Sequence, residues 1–377
     1  MTTYRLRLTP LTPIHVGSGE LLEPYAYALK GDTAFALSLP KLVETLKPIE
    51  RERYFKALSR GPLDARDEVQ TLLRNLRPES VSSWTAKTGD SFRRYATSRL
   101  EARTAKLEVR LLPRTPQGAY LPGSSLKGAI RSALLAGELQ RSLGHERDLE
   151  FRNERWQTKV GRGRIRIPRD MQRQRGRWMK ANQLLEAYTL HYEVEGKHGP
   201  RANISADPLR TLALSDSTPL PGTRFAQLEV WGSRKSPDAP TGISLLAEVW
   251  DEGSVEATLR LNEGFQQRSI LKLDYRPSLA QIAASAYDRY ATIAGDELEL
   301  YDERGWDTAA DLMDEISTAI EGCLSDGEFK PPFRFPLRLG FGAGATSLHL
   351  AEFTDEAPAS RKLCEGKPLG WLMVEVL

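Results

Sequence analysis

Catalysis in this 377-residue chain would have to come from five histidines, two cysteines and its carboxylates, and their spacing supports little of it. His15, His145, His191, His198 and His349 make no HExxH motif and no close pair at ligand spacing, and neither Cys323 nor Cys364 has a CxxC partner. A zinc site is therefore not expected. His15, beside the turn-like Gly17-Ser18-Gly19, has the chemistry of a general base for RNA cleavage, but no second acid–base group stands at a defined distance from it in sequence. Glu248, Asp251 and Glu252 could hold a hard cation only if the fold gathered them, and a solvated loop is the simpler expectation. Asp216, between Ser215 and Ser217, suits a strand-end or turn hydrogen bond. The spacing assigns no catalytic residue, no metal and no cofactor.

Residues suited to holding an anion are easier to find. In the run Tyr120 to Leu135, Pro122 and Gly123 break a strand, and Ser124 or Ser125 can cap the helix that follows. Leu126, Ile130, Ala133 and Leu134 give that helix an apolar face, while Lys127 and Arg131, four apart, share another. Two cations beside the positive end of a helix dipole, with free amides and two hydroxyls, make a phosphate seat. An ordinary capped surface helix would use the same residues. A second glycine cluster, Gly340-Phe-Gly-Ala-Gly344, permits tight turns and close approach to a ligand backbone. It lacks the Lys-Ser or Lys-Thr ending of a phosphate-binding P-loop.

Charge is distributed unevenly. The chain sums to only +3, yet Arg152 to Lys180 carries eleven cations against Glu154 and Asp170. Most are arginines, including Arg162, Arg164, Arg166, Arg169, Arg173, Arg175 and Arg177, whose guanidinium groups fork onto phosphates and stack on bases. A patch of nearly one sign holds a polyanion by releasing its counterions. Trp84, Trp156 and Trp178 lie in the basic stretches, where bases could stack on them. Trp231, Trp250, Trp306 and Trp371 adjoin regular elements and read as packing residues.

Positioning these groups needs a mixed fold. Leu6 and Leu8 alternate with Arg5 and Arg7 as in a half-buried strand, and a hairpin is expected around Gly31-Asp32. Lys41 to Leu58 and Leu63 to Leu76 read as helices separated by Pro62. Trp84 to Arg110 is irregular and basic, with a strand expected at Lys106 to Leu112. Arg152 to Arg201 reads as a long basic arm with too little apolar area to order itself. Strands are expected at 212–214, 225–231, 244–250, 255–261, 336–339, 346–353 and 371–377, and helices at 279–293 and 306–324. The pattern is α+β, in two units divided near residues 205–215.

With 40% hydrophobic and 27% charged residues the composition is that of a folded soluble protein. No apolar run is long enough to span a bilayer, and Met1 to Thr12 alternates polar and apolar residues where a signal peptide would have an apolar core. A cytoplasmic protein is expected.

Three islands, Leu11-Thr-Pro-Ile-His-Val-Gly-Ser-Gly19, Leu121-Pro-Gly-Ser-Ser-Leu-Lys-Gly-Ala-Ile-Arg131 and Gly340-Phe-Gly-Ala-Gly344, together resemble the RAMP superfamily of CRISPR proteins. Leu214-Ser-Asp-Ser217 and the stretch from Ser360 to Trp371 are similar to the subunits that terminate type III-A (Csm) effector complexes. The resemblance implies two ferredoxin-like, RRM-related domains, 1–210 and 211–377, with basic arms near 84–120 and 152–201. It implies a subunit that binds the 3′ region of CRISPR RNA, caps a filament of sibling subunits and assists guide maturation. Implied partners are the guide, target RNA through the guide duplex, a neighbouring backbone subunit, the small helical subunit and a host maturation nuclease, with no membrane. His15, Gly17, Ser18, Gly19, Ser124, Ser125, Lys127 and Arg131 would face guide backbone, with Gly340, Gly342 and Gly344 supporting the same groove. Backbone subunits that cut target RNA carry an aspartate soon after the first glycine turn; Gly19 to Ala28 has Glu20 and Glu23 but no aspartate, so a non-catalytic role is implied. A metal-dependent or histidine-assisted endoribonuclease and the equivalent type III-B subunit are the alternatives.

Overall fold

Strand β1 (Thr2–Pro10) turns Leu6 and Leu8 inward and leaves Arg5 and Arg7 on the open face. Its neighbours set its charges: Arg5 pairs with Glu256 at 2.9 Å and Arg7 with Glu375 at 3.6 Å, the cross-strand pairing that favours one register. β1 lies at the centre of an antiparallel five-stranded sheet. Its other strands are β14 (Leu212–Leu214), β17 (Val255–Leu261), β18 (Arg334–Arg338) and β21 (Trp371–Val376), in the order β14-β17-β1-β21-β18. The computed structural model describes residues 2–102, 107–143, 147–153, 155–160, 165–167, 175–197, 199–233, 235–262, 277–325, 327–342 and 360–377. The strand expected at 346–353 lies outside them.

Three helices cover this sheet and share its core: α6 (Gly123–Leu143), α8 (Leu279–Glu303) and α9 (Asp307–Glu321). Ser278 and Gln281 start α8 with reciprocal side-chain and backbone bonds. Leu126, Ile130, Ile282, Tyr290, Met313 and Ile316 supply much of the apolar packing.

The second sheet runs β2-β6-β16-β15-β5-β4-β3. It comprises β2 (Leu21–Leu22), β3 (Tyr27–Lys30), β4 (Thr33–Leu37), β5 (Ser82–Thr88), β6 (Val109–Arg110), β15 (Arg224–Trp231) and β16 (Pro240–Val249). The hairpin at Gly31-Asp32 forms as expected, with Gly31 at φ 62°. One edge of β15 is shared, because β5 pairs with its first residues and β19 (Arg361–Cys364) with its last. β20 (Lys367–Pro368) closes a tight hairpin with β19. Helix α5 (Asp90–Ala102) packs Phe92 and Ala96 on one face, against Ala86, Val109, Phe225 and Leu246. Toward β3 and β4 the other face is covered by α1 (Leu39–Thr45), α2 (Pro48–Arg60), α3 (Pro62–Leu72) and α4 (Pro78–Val81). Each sheet draws strands from both sides of residue 210.

Several expectations are corrected. Pro48 cannot donate within a helix and divides the segment expected as one helix at 41–58 into α1 and α2. The stretch 84–110 contains β5 and α5 and is not irregular. The basic segment carries its own small core. There β9 (Arg147–Arg152), β10 (Arg155–Val160) and β11 (Ile165–Arg166) form a sheet under α7 (Arg175–Thr189), burying Leu149, Phe151, Trp156, Ile167, Leu184 and Leu185. Sparse apolar residues suffice because Leu139 of α6 adds to this core. After α7 comes β12 (Glu193–Gly196), which pairs with β13 (Gly199–Ala202). A further small hairpin joins β7 (Arg114–Thr115) and β8 (Gly118–Ala119).

Candidate nucleic-acid interface

The turn from Leu11 to Gly19 crosses from the first sheet to the second and is fixed along its whole length. Leu11 N–H donates to the Trp371 carbonyl at 2.9 Å, and Ile14 exchanges both backbone bonds with Trp250. His15 lies where the sequence puts it, beside the glycine turn, but its ring is only 1% exposed. Its Nδ1 lies 2.7 Å from the Glu248 carbonyl oxygen, so this nitrogen is the proton-bearing one. Burial holds the imidazole pKa below its ordinary value. The ring therefore braces the turn from inside, away from a surface-bound strand. Gly17, Ser18 and Gly19 are exposed, and Ser18 donates through both N–H and Oγ to the Leu111 carbonyl.

The C-terminal glycine cluster meets this turn directly. Gly340 sits at φ 79°, and a Cβ there would overlap the His15 carbonyl oxygen. Phe341 N–H donates to that same oxygen at 2.8 Å. Gly342, at φ 95°, lies close over the Leu369 side chain, 2.6 Å from where a Cβ would stand. Gly344 lies outside the described residues. Two islands far apart in sequence are thus one piece of surface, and only glycine lets their backbones come so close.

The α6 island is separate, and its cations are engaged within the chain. Gly123 N–H donates to the Asp216 carboxylate at 2.8 Å, and Leu121 N–H to Ser217 Oγ at 2.9 Å. A carboxylate of the protein therefore sits at the positive end of the helix dipole, in the hydrogen-bonding role expected for Asp216. Ser124 is exposed and Ser125 half-buried. Lys127 Nζ donates to the Leu212 carbonyl at 2.7 Å, and burial pushes its ammonium pKa down. Arg131 bonds Glu186 of α7, Asp207 and the Tyr192 hydroxyl.

Of the basic run, Arg162, Arg164, Arg169 and Arg173 lie outside the described residues. Arg166 falls on β11, and Arg175 and Arg177 on the first turn of α7. Arg152 and Lys159 both reach Glu150, and Arg155 reaches Glu195. Trp156 is a core residue whose indole N–H donates to the Ala181 carbonyl. Trp84 lies under the Arg114 guanidinium, 3.5 Å from its ring centroid. Neither indole is a free stacking platform. Glu248 is not solvated, as expected of a loop, but fully buried. It accepts bonds from Leu112 N–H, Arg114 and Thr223, so its oxygens are committed to the fold. Asp251 pairs with Arg224 at 2.7 Å.

Sequence reasoning missed Arg110 and Lys362. Their charges lie 5.4 Å and 4.8 Å from the centroid of the Phe341 ring, beside the exposed Gly17–Gly19 turn. Single cations on short strands give no periodic signal, and only the meeting of β6, β19 and the Gly340 turn unites them. Among the described residues no three His, Cys, Asp or Glu side chains gather as for a metal, and no helix is long and apolar enough to cross a membrane.

Comparison with known proteins identifies the family and the fold. A family model described as the RAMP superfamily matches residues 7–265. The CRISPR system Cms protein Csm5 of Enterococcus italicus is 26% identical over 148 residues, covering 35% of this chain and 42% of that protein. The match thus spans less than half the length of that relative. The fold superposes on a chain from a Csm–crRNA–target RNA ternary complex of a type III-A CRISPR–Cas system, with a TM-score of 0.69, 18% identity and full coverage of both chains. It also superposes on Csm5 of T. onnurineus, with a TM-score of 0.63, 20% identity, 98% of this chain and 100% of the other. At these identities the likeness is one of fold.

Proposed function

The chain belongs to the RAMP superfamily, and from that premise we propose that it is a non-catalytic subunit of a type III-A CRISPR ribonucleoprotein, equivalent to the fifth Csm subunit. In this reading it binds the 3′ region of CRISPR RNA through phosphate and sugar contacts. It ends the stack of sibling subunits and helps define the mature guide, in the cytoplasm. The two sheets correspond to two ferredoxin-like units that exchange strands. The guide, a neighbouring backbone subunit and, through the guide duplex, target RNA are the partners. The small helical subunit and a separate maturation nuclease are further partners of the assembled complex.

One observation carries the proposal: the exposed Gly17–Gly19 turn and the Gly340–Gly342 turn form a single surface beside Arg110 and Lys362. An exposed, side-chain-poor turn next to cations suits a sugar-phosphate chain and does not select a base. The burial of His15 argues against its acting as a general base on a bound strand.

The test is a titration of end-labelled single-stranded RNA across salt concentrations, with and without magnesium, each sample being run on a denaturing gel. Binding that weakens steeply with salt and leaves the RNA intact is expected. Cleavage that copurifies with the protein through every step would instead establish an endoribonuclease. Absence of any binding would end the proposal for the isolated subunit.

A further inference from the structure

We propose that Arg110 and Lys362, braced on the ring of Phe341, form a two-cation seat for the phosphodiester backbone of the bound strand. This inference rests on the RNA-binding reading above and names the side chains that do the gripping.

The three residues come from remote parts of the chain and are fixed by backbone pairing. Arg110 stands in β6 opposite Leu21, just past the Gly17–Gly19 turn. Lys362 stands in β19 opposite Val230. Phe341 is fixed by its amide bond to the His15 carbonyl and by the edge of the His15 ring, with centroids 5.9 Å apart. The distances of the two charges from one centroid hold them within about 10 Å of each other. Like charges held that close repel each other, and the electron-rich face of the ring offsets part of the cost.

What the pair lacks, among the described residues, is a counter-charge. Among the described residues neither Arg110 nor Lys362 has a carboxylate partner. The other arginines of this framework do: Arg114 has Glu248, Arg224 has Asp251 and Glu365, and Arg338 and Arg361 share Glu297. Arg110 is exposed and Lys362 half-buried, so an anion can reach the pair from solvent. At the other basic motif a protein carboxylate already occupies the α6 terminus, and Lys127 and Arg131 are bonded internally. A phosphate arriving at Arg110 and Lys362 displaces no carboxylate of the described residues. The exposed residues of the glycine turn lie alongside, where the adjoining backbone would pass.

The experiment uses the intact protein and end-labelled oligouridylate, with affinity measured at several salt concentrations. Arg110→Gln/Lys362→Gln keeps most of each side chain's length and removes both charges. It should lower affinity at moderate salt by tenfold or more and flatten the slope of log K against log salt by about 0.7 per lost phosphate contact. Arg110→Lys/Lys362→Arg, which keeps both charges, should hold the wild-type slope. Phe341→Leu, which keeps apolar bulk but loses the π face, should weaken binding about threefold to fivefold at nearly unchanged slope, and Phe341→Trp should restore it. Thermal melts establish that each variant is folded. If the charge-free variant folds and binds with wild-type slope and affinity, the seat lies elsewhere while the RNA-binding reading stands. If wild-type protein shows no salt-dependent binding, both fall. If the charge-free variant does not fold, loss of slope in the charge-keeping pair would equally overturn the seat.

Discussion

Gly123 and Gly128 lie on the same helix and carry opposite predictions. A Cβ on Gly123 would overlap the Leu214 carbonyl and come within 2.6 Å of that of Ser215, whereas a Cβ on Gly128 would meet nothing within 4 Å. Gly123→Ala should therefore destabilise by about 2 kcal/mol, as overpacking does, and lower the melting temperature. Gly128→Ala should gain about 1 kcal/mol from helix propensity and raise it. Gly340→Ala adds backbone strain at φ 79° to its overlap with His15 and should be the worst of the three, at about 3 kcal/mol. Differential scanning calorimetry on the three variants decides the order. The glycine islands were legible in the sequence because glycine states a backbone need that no other residue meets. Which backbone each one touches was not legible: Gly123 meets a segment some 93 residues away, and spacing contains nothing of that distance.

At the scale of elements, α6 serves as the post to which the basic unit is tied. Arg131 spans from α6 to Glu186 of α7 and to Asp207, at 2.5 and 2.9 Å. Read along the sequence, Arg131 is a candidate for a phosphate seat, sharing a face with Lys127. Folded, it fastens two elements, because the carboxylates that claim it lie 55 and 76 residues away. Arg131→Ala leaves those acids beside one another without their cation, an arrangement costing roughly 2–3 kcal/mol when partly buried. Hydrogen exchange should then quicken in α7 and β12 ahead of the central sheet. Uniform acceleration through the protein would show that the contact does not act as a tie. The unit's own core was illegible for a related reason. Trp156 and Phe151 stand among arginines, and their partners Leu184, Leu185 and Leu139 come from two helices outside the basic strands.

Across the whole molecule one buried carboxylate joins both sheets. Glu297 of α8 holds Arg338 of β18 at 2.7 Å and Arg361 of β19 at 3.2 Å, with the Tyr301 hydroxyl donating to the same group. Glu297 and Arg338 are essentially inaccessible to water. Glu297→Gln would remove the carboxylate that two buried guanidinium groups share, at a cost of about 3–5 kcal/mol. Urea unfolding should show a lower midpoint, and a wild-type midpoint would mean that the sheets are joined by apolar packing alone. The α+β class and most strands of the second half could be read from alternation. The strand exchange between sheets could not, because β1 carries the same pattern whichever neighbours it takes. That exchange sets a schedule for synthesis. Thr12 accepts a bond from Trp371, 359 residues later, and β1 pairs along one edge with β21. A nascent chain must carry β1 with one edge open until β21, which lies some 359 residues further along, has left the ribosome. Only the emergence of β21 closes that edge of the first sheet.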